Sequence, residues 1–509
     1  VNELRGQAVR TFLEGQIAQQ SSIIAATLAP YDADNAVRNW HAAIRAAEEF
    51  VNIVYFGISS IVALAKLKAT PLDDRMLANP AIAVAVRNDL ARLFGPATAQ
   101  RFQMTMLQAA AINQAFRQHG ISVVSKGAGL DTVGDAAGYF QSRRRHMVSL
   151  LYTMPRACRG KRRFDFLDAF NVLMPQVELG CIPITSMHQK LVLAEIFPDF
   201  SLALDGTGAR ASHWFECLES GFLEPERASV AVLQEFRQDQ AAMPSLEAVD
   251  PTKILSAAEL RNNARTISTA YEKFGLRDSD FSVAAQLVMA FSRRCTDDYF
   301  VILNRVAFDA ILASQTQMSI AELERLLINQ PGTYATNTNA YQPFVQVGET
   351  LHSNVNLLTR FLYSFKNVHL GSRRRFQIQA GFIFEDMVKR DLGRMGFVIT
   401  DVKRINRKEF DVVATREGIV YNFQCKNNWV DLSKVESDPA LFVRYNRTLV
   451  SYYLRALVKE KNREGLLLRH LGLASIRHFV VSRFPVITED PRIVPYNMLD
   501  VLGGAALRS

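Results

Sequence analysis

Four polar residues stand where an apolar pattern would not place them. Glu385 lies beside the apolar stripe of "GFIFEDMVKRDLGRMGFVI", Asp411 sits at the start of "FDVVA", and Gln424 and Lys426 interrupt the end of "IVYNFQCK". Side chains alternate across a strand, so Gln424 and Lys426 point to one side and Cys425 to the other. The intervening "TREG" reads as a short turn, and closing it as a hairpin brings Asp411 beside them. Two carboxylates, an amide oxygen and an amine then converge on one spot. Oxygen donors of this kind suit a hard cation such as Mg²⁺, which neutralises a phosphate and stabilises a leaving oxygen, so the set fits phosphodiester hydrolysis. Asp411 is the expected central ligand and Glu385 a direct or water-mediated one. Gln424 offers its amide oxygen and Cys425 its backbone carbonyl. Lys426 is placed to position the attacking water, to stabilise developing negative charge or, with a lowered pKa, to help deprotonate the water.

The elements that must position these groups follow from the pattern around them. Phe384, Met387, Val388, Leu392 and Met395 recur at helical spacing, and Gly396 is placed to cap the helix before an extended "FVIT". Two β-rich runs follow, "EFDVVA" and "IVYNFQCK", then a long helical pattern, "FVRYNRTLVSYYLRALVKEK", and another β-run, "HFVVSRFPVI". The order is helix, strand, strand, strand, helix, strand.

At these residues the sequence resembles the PD-(D/E)xK nuclease superfamily, and most of all the Mrr-type variant in which Gln replaces the acidic residue of the E-x-K pair. The resemblance runs from "GFIFEDMV" through "EFDVVATREGIVYNFQCKNNW", and more loosely to "HFVVSRF", about 100 of 509 residues. It implies an α/β restriction-endonuclease-like domain, a central mixed sheet flanked by helices, attached to a large mainly α-helical N-terminal region. It also implies a metal-dependent endonuclease acting on DNA in bacterial defence or restriction, with Mg²⁺ as cofactor and Mn²⁺ able to substitute. The chain departs from the pattern at Phe410, where the family usually has Pro before the acidic residue. Nothing recognisable covers residues 1 to 370. Other readings stay open: a nuclease acting on RNA or on branched DNA in repair, or a catalytically silent nucleic-acid-binding or assembly module. In the plainest alternative Asp411 is a turn residue, Lys426 a snorkelling strand end and Glu385 a solvated helix position.

Charge separates the two parts of the chain. The net charge is +9, and residues 371 to 509 hold 24 Lys and Arg against 15 Asp and Glu, leaving 35 of each in residues 1 to 370. A basic C-terminal part suits a polyanion, since clustered cations supply the sequence-independent share of nucleic-acid binding. The expected contact residues are Arg373, Arg374 and Arg375, then Lys403, Arg404, Arg407 and Lys408, then Arg444, Tyr445 and Arg447. A second basic run, Arg143, Arg144, Arg145, His146, Arg156, Arg159, Lys161, Arg162 and Arg163, has no acidic residue between Asp135 and Asp165. It reads either as a positive patch for nucleic acid or a phosphorylated ligand, or as a solvated helix face.

Residues 1–120 read as an Ala-rich helical domain, and 121–330 as a mixed, mainly helical regulatory or recognition region. Residues 331–370 read as a linker and connecting helix, because 326 to 348 carries no charge and is rich in Asn, Thr, Gly and Pro. Residues 371–509 form the expected nuclease domain. DNA is the expected partner, with homo-oligomeric assembly and a regulatory ligand or protein partner for the N-terminal region. Cys158, Cys181, Cys217, Cys295 and Cys425 include no C-x-x-C pair, which sets aside a zinc ribbon, a thioredoxin motif and a disulfide framework and fits a reducing cytoplasm. No secretory signal pattern opens the chain. The longest uncharged apolar run, Phe50 to Ala65, is short of a membrane span and reads as a buried core helix. His188 and Lys190 form an H-x-K pattern without its further partners. Gly206 and Gly208 lack the Lys of a phosphate-binding loop, so a turn is expected there.

Overall fold

The computed structural model describes residues 2–120, 130–205, 208–215, 245–315, 317–330, 332–338, 340–428, 430 and 434–503. Gly206 and Cys217 lie outside the described residues. The protein is mixed α/β and 63% helical, with small sheets and a large helical N-terminal region.

A strand, β1 (Asn2–Arg5), precedes α1 (Gln7–Leu28), α2 (Ala33–Asn52), α3 (Ile61–Lys68), α4 (Asp74–Ala78) and α5 (Ala81–Gln118). Next come α6 (Val133–Ala157), α7 (Phe166–Gln176), α8 (Ile182–Ile196), β2 (Ser201–Asp205) and β3 (Gly208–Ala211). Local chemistry sets several of these ends. The Asp32 carboxylate accepts from the Asn35 amide at 2.8 Å to start α2, and Thr132 with Asp135 forms a capping box on α6. Gly95, at φ +75° and followed by Pro96, breaks α5 in two. The apolar sides of α2, α5, α6 and α7 meet around Trp40, Phe50, Phe102, Phe140 and Phe170.

A second core gathers α9 (Ala257–Ala270), α10 (Asp280–Ser292), β4 (Phe300–Asn304), α11 (Arg305–Ala313) and α12 (Ile320–Leu327). After α13 (Tyr334–Asn337) come β5 (Val345–Val347), β6 (Thr350–Asn354) and α14 (Val355–Gly371), with β6 pairing both β4 and β5 antiparallel.

The C-terminal part begins with α15 (Arg374–Arg394) and β7 (Val398–Ile399), joined through Gly396 at φ +87°. A small hairpin, β8 (Arg404–Ile405) and β9 (Lys408–Glu409), leads to β10 (Val412–Arg416) and β11 (Ile419–Lys426). Helices α16 (Lys434–Ser437), α17 (Pro439–Lys461) and α18 (Glu464–Leu471) precede β12 (Ser475–Ser482) and β13 (Ile493–Pro495). The sheet order is β13-β12-β11-β10-β7, with β11, β12 and β13 parallel and β10 antiparallel to both its neighbours. One face packs on α15 through Phe384, Val388 and Leu392 against Tyr421, Phe423 and Phe479. The other packs on α17 through Phe442, Val443, Leu449 and Tyr453. Behind α17 stand α8 and α1, so Val9, Leu13 and Val192 share one core with Val480 and Ile493. The N-terminal strand is tied to the same layer, since β1 pairs antiparallel with β2.

Three expectations are corrected here. First, Arg143, Arg144 and Arg145 make neither a positive patch nor a solvated face. All three are buried and paired, with Glu178 at 2.9 Å, with Glu48 and with Glu436 respectively. The absence of local acidic residues misled, because the carboxylates come from distant segments. Arg156, Arg159, Lys161, Arg162 and Arg163 are exposed. Second, the charge-free stretch from 326 to 348 is no open linker. Tyr334, Phe344 and Val345 are buried, Tyr334 shares a 2.6 Å hydrogen bond with His146, and Asn337 donates to Thr153 at 3.0 Å. Gln330, Thr333, Thr336 and Gly348 stay exposed, but the uncharged side chains between them pack against α6 and the second core. Third, only half of Phe50 to Ala65 is a core helix: Phe50, Val51, Ile53 and Val54 are buried, while Phe56 just before a break at Ile58–Ser60, and Ile61 and Val62 just after it, face outward.

The buried pairing sets a stability test. Arg145→Met leaves the Glu436 carboxylate buried without its cation and should cost about 3–5 kcal/mol, much of it recovered when Glu436 is made Leu as well. Arg404→Ala, in an exposed pair with Glu409, should cost under about 1 kcal/mol. Urea midpoints of the full chain measure both, and equal shifts would contradict the buried pairing.

Candidate active site

The β10–β11 hairpin turns through Glu417 and Gly418, both at positive φ, +52° and +75°. Two successive left-handed residues give a turn whose twist matches that of the strands. The register is thereby fixed: Val412 lies opposite Phe423, so Asp411, just before β10, comes level with Gln424 at the open end of the hairpin. There the Cys425 amide donates to Asp411 Oδ2 at 2.8 Å. Tyr421, Phe423 and Cys425 face α15, while Asn422, Gln424 and Lys426 take the face toward α17. Lys426 Nζ donates to Gln424 Oε1 at 3.3 Å and stands 5.8 Å from the Tyr452 ring centre. Gln424 is buried, and its Nε2 has no hydrogen-bond partner among the described residues.

Glu385 comes from α15 and is half-buried. Burial, and then the charge of Asp411, push its carboxyl up to about 7, with Lys389 and Lys426 opposing. Asp411 is also raised, by burial first, against the pull of Lys426 and the Cys425 amide. The Cys425 thiol is pushed well above its ordinary range by burial and by both carboxylates, and it faces α15, so the donor expected of this residue is its backbone carbonyl.

Among the described residues no group of three or more His, Cys, Asp or Glu could hold a metal ion. The expected ligand set is of another kind: two carboxylates, the Gln424 amide oxygen and the Cys425 carbonyl. Its chemistry fits a hard divalent cation, because every donor is an oxygen and two of them belong to half-buried carboxyls that burial, before any other cause, holds above their usual range.

The expected nucleic-acid residues lie in three exposed groups. Arg373, Arg374 and Arg375 open α15, about 16 Å along its axis from Glu385. Lys403, Arg407 and Lys408 stand exposed on the β8–β9 hairpin just before Asp411, where Arg404 is spent on Glu409. Arg444, Tyr445 and Arg447 are exposed on α17, with Arg447 also donating to the Glu195 carbonyl at 2.5 Å.

Two neighbours of the site escaped the sequence reading. Tyr452 lies on α17 against Lys426. Arg483 follows β12; its amide donates to the Lys426 carbonyl at 2.9 Å and its guanidinium to Asn427 Oδ1 at 2.9 Å. A signal for Arg483 existed: a strand reached from β11 through a long helix returns parallel, so the two C-terminal ends meet. His188, set aside on sequence, is half-buried, its ring nitrogens are covered with no hydrogen-bond partner among the described residues, and burial lowers it to about 4.

The raised Glu385 carboxyl predicts a pH dependence. Between its ordinary 4.5 and about 7 the folded chain keeps a proton that the unfolded chain has lost, so stability should fall as pH rises through that window. Glu385→Gln should flatten that fall, and added Mg²⁺ should oppose it in the wild-type chain. Unfolding midpoints from pH 4.5 to 8 test this, and parallel curves for the two proteins would mean that Glu385 is not desolvated beside Asp411.

No helix among the described residues is long and apolar enough to cross a membrane. Comparison with protein-family models, with curated proteins and with solved structures finds no match to the chain, so the geometry of its own residues carries the functional argument.

Proposed function

We propose that the C-terminal part is a metal-dependent nuclease that hydrolyses DNA phosphodiester bonds, with the helical N-terminal part regulating or targeting it in a defence or restriction setting. The reading is carried by one observation. At the open end of the β10–β11 hairpin Asp411 is held by the Cys425 amide, Gln424 and Lys426 touch on one strand face, and Glu385 stands near enough to feel both Asp411 and Lys426.

Asp411, Glu385, the Gln424 amide oxygen and the Cys425 carbonyl would hold Mg²⁺ or Mn²⁺. Bound there, the cation would supply Lewis acidity toward the phosphate. The Cys425 amide fixes the Asp411 carboxylate before substrate arrives, so no reorganisation is needed at that group. Lys426, released from Gln424, would face the phosphate, orient the attacking water and meet the negative charge that develops. The exposed arginines and lysines on α15, the β8–β9 hairpin and α17 would neutralise neighbouring phosphates.

A second reading, a binding or assembly module without catalysis, is favoured by Lys426 resting on the same Gln424 oxygen that a cation would need. The full chain incubated with plasmid, single-stranded DNA or RNA, in Mg²⁺ or in EDTA, separates the two. Mg²⁺-dependent cleavage is expected, reduced at least about 100-fold by Asp411→Ala or Lys426→Ala with nucleic-acid affinity retained. Undiminished cleavage by Asp411→Ala would remove the site assignment. Saturable DNA binding without cleavage at any metal concentration would favour the second reading.

A further inference from the structure

From Pro439 to Lys459, α17 contains no acidic residue, and its outward side carries Arg444, Arg447, Arg455 and Lys459, all exposed. Along it Tyr445, Thr448, Tyr452, Arg455 and Lys459 follow one another at intervals of three and four residues, which places them in a single stripe on the helix. The two tyrosines are 38% and 43% exposed, so part of each side chain is open to a ligand. Beneath them Phe442, Leu449, Tyr453 and Leu457 are buried against the sheet. The Tyr453 hydroxyl meets Ser482 Oγ at 3.3 Å and Asn428 Oδ1 at 3.4 Å, which pins α17 under the C-terminal ends of β11 and β12. The stripe therefore reaches the candidate site: the Tyr452 ring stands 5.8 Å from Lys426 Nζ, and Tyr445 lies about 10.5 Å further along the axis.

Cations alone would serve any polyanion. Open aromatic faces among them serve unpaired bases in particular, because every base has a face that can stack on a ring, whereas a duplex keeps those faces inside its own stack. We propose that this stripe of α17 is a track for single-stranded DNA, with Tyr445 and Tyr452 stacking on unpaired bases and Arg444, Arg455 and Lys459 meeting the phosphates. The phosphodiester delivered to Lys426 then belongs to an unpaired strand. This rests on the nucleic-acid reading of the site and adds the substrate class, with Tyr452 as a residue that holds the strand in place.

The test is binding without cleavage. Fluorescence anisotropy of labelled oligothymidylate and of a duplex of equal length is followed in EDTA with the full chain. Single strands should bind more tightly than duplex. Tyr452→Ala should weaken single-strand binding by roughly 5- to 150-fold and leave duplex binding unchanged, while Tyr452→Phe keeps the affinity. Arg455→Gln should lower the salt slope of single-strand binding by about 0.7. The track is overturned if Tyr452→Ala and Tyr445→Ala both bind single strands as the wild type does, or if they lose duplex affinity equally. It is also overturned if sedimentation shows that they only dissociate a dimer formed through Leu441, Leu454 and Val458, which are exposed on the same helix. Because metal is absent, this outcome is independent of the nuclease proposal. A chain that binds strands in this way but never cleaves keeps the track and loses the enzyme; one that cleaves duplex unimpaired by Tyr452→Ala does the reverse.

Discussion

Three consecutive arginines cannot stay charged inside a protein unless three carboxylates reach them, and that requirement organises this fold. In an α-helix successive residues point about 100° apart, so Arg143, Arg144 and Arg145 must look in different directions. Each draws in a different part of the chain: Glu178 from the turn before α8, Glu48 from α2 and Glu436 from α16. A buried ion pair adds little net stability, because desolvation offsets the attraction, but a mispaired arrangement would leave a bare charge inside. The three pairs thus act chiefly against wrong packings. Burial holds the Glu436 carboxyl above its usual range even beside Arg145, which shows how heavily desolvation weighs there.

Arg145 and Glu436 also connect the two halves of the molecule. Helix α16 follows the segment that leaves the site strand after Lys426, and it packs on α8 and α13. Thr338 reaches the same carboxylate from the segment after α13. The strand bearing Gln424 and Lys426 therefore leaves the sheet toward an anchor set by α6. On its other face, α15 carries Glu385 and the core residues Phe384 and Val388, so the spacing of Glu385 from Asp411 follows from the packing of one helix. The electrostatics of the site are set by layers on both sides of the sheet.

How much of this was legible in the sequence depended on distance along the chain. The hairpin was readable because its strand alternation and its Glu417–Gly418 turn are local. The α15 stripe was readable too, since Phe384, Val388 and Leu392 recur every four residues. The partners of Arg143 to Arg145 were not, for one of them lies 291 residues away. Nor does composition separate an uncharged solvated loop from an uncharged buried one: what decides for Tyr334 and Asn337 is His146 and Thr153, found only by folding. Tyr452 needed the placement of α17 over the sheet, which a strand and helix order does not supply.

The core shared by Val9 and Leu13 with Phe442, Val480 and Ile493 has a consequence for synthesis. Helix α1 leaves the ribosome before the helix and sheet that cover its apolar side, which follow more than 400 residues later. At the usual 5–20 residues per second the gap is roughly 20 to 90 seconds, during which that side has only its early neighbours, α8 among them, or a chaperone to cover it. The sheet bearing Asp411 and Lys426 meets the reverse condition. It finds its outer layer already made and closes onto it, so the site is assembled only after α1 and α8 are in place.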